Sequence, residues 1–187
     1  MSEKKYVRFQ TEEELLKSVL RSLPYDSYPK VSAIGGKKIT PDIDILEIRK
    51  VSQNQFRLIG YELKLMKFDN RSKALSWNSF YCGIGQALLY LKNGVHRTFL
   101  ILGFHKNVPD DKLIDQFRDW LYEKKDLLKT IIGDHLGIDL YLYEGGTISP
   151  IINANYDFYS SGDEIRLLSQ ELLQRKFTFD KRLKKVE

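Results

Sequence analysis

A single cysteine, Cys82, excludes both an intrachain disulfide and a cysteine-based zinc site. It lies in the apolar stretch "SFYCGIG" and is expected to pack as a small side chain rather than act as a nucleophile. The three histidines, His96, His105 and His135, are scattered, with no two at zinc-ligand spacing, and are expected to be structural or solvent-facing. No apolar run approaches the roughly 20 residues of a spanning helix. The N-terminal stretch "MSEKKYVRFQTEEE" is too polar for a signal peptide. The expectation is a cytoplasmic protein with no membrane partner. There is no Walker A loop, and "GIG" at 83–85 lies inside a helical pattern without the rest of a dinucleotide fingerprint. A Gly-x-Ser-x-Gly elbow is also lacking.

What is present suits a globular chain. Of 187 residues, 42% are hydrophobic and 29% charged, enough for one domain with a sizeable core. The net charge of +5 mildly favours a polyanionic partner such as nucleic acid. Thr11 followed by Glu14 has capping-box spacing, and Leu15, Leu16, Val19, Leu20 and Leu23 form a helical stripe over 11–23. "KVSAI" reads as a short strand, "GGKK" as a basic loop, and residues 40–49 and 56–65 as two strands turning at "SQNQ". Residues 66–76 read as a polar, basic connection, 77–92 as a helix and 97–104 as a buried strand. Pro109 opens a long amphipathic helix with a break near Lys125. Residues 137–145 then read as a strand, 146–161 as irregular, and 163–176 as a last helix before the basic tail "KRLKK". The expected class is α/β: a central mixed sheet flanked by helices, with a core over about 11–104 and an αβα extension over about 105–187.

One hairpin carries charge into apolar surroundings. "PDIDILEIRKVSQNQFRLIGYELK" (41–64) sets Asp42, Asp44, Glu62 and Lys64 among sheet-forming residues. Alternation puts Asp42 with Asp44, and Glu62 with Lys64, on one face of each strand. Folding at "SQNQ" pairs residues whose numbers sum to about 107, bringing Asp42 near Lys64 and Asp44 near Glu62. Facing carboxylates repel. A divalent cation relieves that repulsion, and an oxygen-rich site suits Mg²⁺ or Mn²⁺. Of three Glu-x-Lys tripeptides in the chain, only Glu62-Leu63-Lys64 lies in an apolar strand beside an acidic one. The alternative is an edge hairpin whose charges discourage aggregation.

Pro41-Asp42 followed by Glu62-Leu63-Lys64 resembles the PD-(D/E)xK nuclease superfamily, as does the order of one helix, three strands, a helix and a strand over 11–104. "EEELLKSVL" is similar to the first helix of archaeal Holliday-junction resolvases, and "QALLY" to the Gln-x-x-x-Tyr of RecB-type nucleases. The resemblance implies a restriction-endonuclease-like core and metal-dependent hydrolysis of DNA, with structure-specific cleavage in recombination or repair as one form of it. It implies Asp42, Glu62, the Leu63 carbonyl and Glu12 as ligands of Mg²⁺, with Mn²⁺ substituting and Asp44 as a further ligand or a replacement for Asp42. Lys64 would position or help deprotonate water, or stabilise the transition state. Gln86 would orient the site, and Tyr90 would contact DNA or brace Gln86. Lys37, Lys38, Lys67, Arg71 and Lys73 flank the hairpin and are candidate phosphate contacts. Resolvases of the superfamily are dimers, so a homodimer is an expectation. The rival reading is a catalytically inert nucleic-acid-binding or assembly module on the same fold. Endonuclease against exonuclease, and DNA against RNA, stay open.

Overall fold

The computed structural model describes residues 6–23, 27–34, 37–52 and 55–155. Their elements are β1 (Arg8–Phe9), α1 (Glu12–Leu20), β2 (Ser27–Ile34), β3 (Lys37–Ser52), β4 (Gln55–Met66), β5 (Phe68–Asp69), β6 (Ala74–Leu75), α2 (Asn78–Lys92) and β7 (Arg97–His105). They continue with α3 (Asp111–Glu123), α4 (Lys125–Leu128), a π-helical stretch (Lys129–His135), β8 (Ile138–Glu144) and β9 (Thr147–Ile152).

One mixed sheet runs in the order β2-β3-β4-β7-β8-β9, with β1 beside the end of β7. The pairs β2–β3 and β3–β4 are antiparallel, β4, β7 and β8 run parallel, and β9 returns antiparallel to β8. The central strand β7 is buried continuously from Leu100 to Phe104 because helices cover both its faces. On one face α1 sets Leu15, Leu16 and Val19 against Tyr61, Leu63 and Leu65 of β4 and Ile101 of β7. On the other, α2 and α3 bring Phe80, Ala87, Ile114, Phe117 and Leu121 to Met66, Leu100, Leu102 and Phe104. The far end of α2 packs Tyr90 with Leu46, Ile48, Leu58 and Val95. The protein is thus α/β with a central mixed sheet flanked by helices. Among the described residues, no helix is long and apolar enough to cross a membrane.

Several local expectations change. Helix α1 ends at Leu20 rather than near 23, and the three strands after it are longer than their apolar runs. The connection at 66–76 contains the small hairpin β5–β6, closed by a hydrogen bond from the Ser76 N–H to the Lys67 carbonyl (2.7 Å). The segment expected to be irregular after 146 holds β9, whose ladder with β8 outweighs its turn-like composition. The long helix breaks at Lys124. Cys82 is exposed rather than packed, because the buried stripe of α2 runs through Phe80, Gly83, Ala87, Tyr90 and Leu91 and leaves Cys82 outward. His96 is buried and structural: its Nδ1 accepts the Leu58 N–H at 3.0 Å. The helix expected over 163–176 and the basic tail lie outside the described residues.

Candidate active site

Alternation along β4 sends Tyr61, Leu63 and Leu65 to α1, which leaves Glu62 and Lys64 facing α2. The β3–β4 ladder runs from Ser52↔Gln55 to Ile45↔Tyr61, one residue from the register read in the sequence. Continued by one step, it sets Asp44 opposite Glu62. There the Asp44 side chain takes the place of a strand partner: its Oδ2 accepts the Leu63 N–H at 2.9 Å. Its Oδ1 pairs with Lys30 of β2.

Helix α2 closes the site with Tyr90, which is fully buried. Its hydroxyl accepts the Asp44 N–H (3.2 Å) and has two acceptors in reach, a Glu62 carboxylate oxygen and the Asp42 carbonyl (2.9 Å). A phenol has one proton, so it donates to one of these at a time. Two glycines let the helix come this close. A Cβ at Gly60 would stand 3.1 Å from the Tyr90 ring, and one at Gly83 would stand 3.0 Å from Lys64 Cγ and 2.6 Å from Leu100 Cδ1.

Glu62 is only 1% exposed. Lys64 Nζ lies 2.6 Å from its Oε1, a charge-assisted contact. Burial, then the nearby Asp44 charge, push the Glu62 carboxyl from an ordinary 4.5 up to about 7, against the opposing pull of Lys64 and Tyr90. Burial alone would lower the Lys64 pKa, but Glu62, Glu12 and Asp44 together raise it, so Lys64 is a cation at neutral pH. Burial and the two carboxylates likewise push Tyr90 upward and keep it a donor. The other buried glutamate, Glu47, faces α1 and differs in kind. Tyr61 donates to one of its oxygens and Arg49 Nε to the other at 2.9 Å.

The structure gathers part of the predicted set. Glu62, Lys64, Leu63 and Asp44 meet directly, and Glu12, at the start of α1, reaches within 3.9 Å of Lys64 Nζ. Glu14 is occupied by the cap: Thr11 accepts its N–H and its carboxylate accepts the Gln10 N–H. The Asp42 side chain is exposed, and only its carbonyl joins the network. Gln86 is half-buried on α2. It lies between Gly83 and Tyr90 on the face turned to β4. The expected contact of Tyr90 with DNA is corrected: a buried phenol bonded to Glu62 presents no surface to a nucleic acid. Lys38, Lys67, Arg71 and Lys73 are exposed, and the Lys37 side chain lies outside the described residues. Sequence reading missed Lys30 and the two glycines. Lys30 had a signal, since it opens the run "KVSAI", which lies in the strand before "GGKK".

The donor set suits Mg²⁺ or Mn²⁺. Glu62 is a buried carboxylate, and Asp44 supplies a second one close enough for its charge to act on Glu62. Mg²⁺ keeps several waters and takes one or two carboxylates. Among the described residues, no group of three or more His, Cys, Asp or Glu side chains stands in metal-holding array, so the set amounts to two carboxylates plus backbone and water. Compared with protein-family models and with curated proteins, the chain gives no match.

Proposed function

We propose that this chain is a divalent-metal-dependent nuclease that hydrolyses phosphodiester bonds of DNA on a restriction-endonuclease-like core. The observation that carries the reading is a pair of buried carboxylates, Glu62 and Asp44, set together from facing strands with Lys64 held 2.6 Å from Glu62. The order α1-β2-β3-β4-α2-β7 is compatible with that core, and the resemblance of Glu62-Leu63-Lys64 supplies the reaction class.

Asp44 and Glu62 would hold the metal, with the Leu63 carbonyl as the resemblance implies and Glu12 through water. Asp44 is preferred to Asp42 because its carboxylate is buried beside Glu62 while that of Asp42 faces solvent. The bound ion would lower the pKa of a water and neutralise charge on the scissile phosphate. Lys64 remains protonated, so its role is to stabilise developing negative charge rather than to abstract a proton. Tyr90 fixes Glu62 and the Asp42–Asp44 backbone in one arrangement. Lys38, Lys67, Arg71 and Lys73 would add sequence-independent phosphate contacts. A homodimer would serve cleavage of both strands.

One observation favours the rival, an inert nucleic-acid-binding module: both carboxylates already have a lysine partner. Incubation with linear, single-stranded, flapped and four-way-junction DNA in Mg²⁺, Mn²⁺ or EDTA separates the two. The nuclease reading expects cleavage that requires the metal and disappears in Glu62→Ala. Unchanged cleavage by that variant sinks it.

A further inference from the structure

We propose that Lys30 is the resident counter-ion of the metal-free site: it holds Asp44 until a divalent cation displaces it, and so sets the metal concentration at which the site fills. This rests on the metal-dependent reading above.

The sheet builds a row of charge. The pairs Pro29↔Ile45 and Val31↔Ile43 bracket Lys30 and set it opposite Asp44. The next strand sets Glu62 beyond Asp44. The row therefore reads Lys30, Asp44, Glu62 across β2, β3 and β4, with Lys64 one strand step from Glu62. With both carboxylates ionised, they and the two ammonium groups are neutral together, and Glu12 adds one negative charge near Lys64. A cation of charge +2 entering this row creates an excess that the departure of one lysine reduces.

The two lysines are not equally free to leave. Lys64 has a side chain 13% exposed, and its stem runs under α2 beside Gly83 and Leu100. Lys30 has a side chain 55% exposed and ends on Asp44, whose other oxygen is engaged by the Leu63 N–H. Asp44 thus has both oxygens occupied, and only the Lys30 partner can swing into solvent without disturbing the sheet. The backbone supports a dedicated role. Lys30 has φ 51, the left-handed region, just before the bulge between Val31 and Ala33. A long L side chain is costly there. Glycine or asparagine would suit the backbone better; lysine at this position delivers an ammonium to Asp44.

The test is calorimetric titration of Mn²⁺ into wild type, Lys30→Gln and Lys30→Arg, without nucleic acid. Lys30→Gln should bind Mn²⁺ roughly twofold to fivefold tighter, the weight of a half-exposed ion pair that no longer competes. Lys30→Arg keeps the charge and should stay within about twofold of wild type. In EDTA, Lys30→Gln should melt no higher than wild type, yet Mn²⁺ should raise its melting temperature further. Binding by wild type with equal or weaker binding by Lys30→Gln overturns the role of Lys30 and leaves the metal reading standing. No Mn²⁺ binding by either protein overturns both.

Discussion

Glu62→Gln should make the metal-free protein more stable at alkaline pH while abolishing its activity. Burial raises the folded pKa of Glu62 from 4.5 to about 7, so the folded state holds this proton more tightly than the unfolded chain does. Stability is therefore lost as pH rises from the unfolded value through the folded one, and the loss is complete above it. Between about pH 5 and about pH 8 the linkage amounts to about 2.5 kcal/mol, from 1.36 kcal/mol per unit. Glutamine keeps the shape and cannot ionise. The variant should match wild type within about 1 kcal/mol at about pH 5. It should then gain about 2.5 kcal/mol relative to wild type on moving to about pH 8. Urea unfolding in EDTA at the two pH values measures this directly, because terms common to both proteins cancel in the double difference. Adding Mg²⁺ at the higher pH should stabilise wild type and leave the variant unmoved. A wild-type-to-variant difference that is the same at both pH values would refute the burial argument.

Tyr90→Phe removes the acceptor of a buried Asp44 N–H and a donor to Glu62, and should cost about 1–3 kcal/mol in urea unfolding while lowering cleavage. Gly83→Ala drives a methyl into Leu100 and Lys64 and should destabilise by about 1–3 kcal/mol. Gly85→Ala, two residues on, meets nothing within 4 Å and should instead stabilise the helix by up to about 1 kcal/mol. Thr11→Ala removes the α1 cap and should cost about 1 kcal/mol in the same assay, without affecting metal binding.

The elements were legible wherever one force dominated. The Thr11–Glu14 box, the leucine stripe of α1 and the apolar run of β7 each state their structure locally. The β3–β4 register came within one residue because a short turn fixes a hairpin from its midpoint. Strand β9 was not legible, because its pairing with β8 is a tertiary contact that overrides local composition. The site followed the same division. Glu62 and Lys64 stood out as charges in an apolar strand. The choice between Asp42 and Asp44 depended on where the ladder ends, and the preceding proline pointed to Asp42 while the structure buries Asp44. Tyr90 was found by its spacing from Gln86 and was expected to contact DNA or brace Gln86; its bond to Glu62 was not legible, since only the close approach at Gly60 and Gly83 shows how deeply α2 sits.

The most direct measurement is single-turnover cleavage of DNA in Mg²⁺ by wild type, Asp44→Asn and Asp42→Asn, each checked for folding. The account predicts metal-dependent cleavage by wild type, its loss in Asp44→Asn and its survival in Asp42→Asn. Full activity of Asp44→Asn, or no metal-dependent cleavage by wild type on any DNA form, would contradict it.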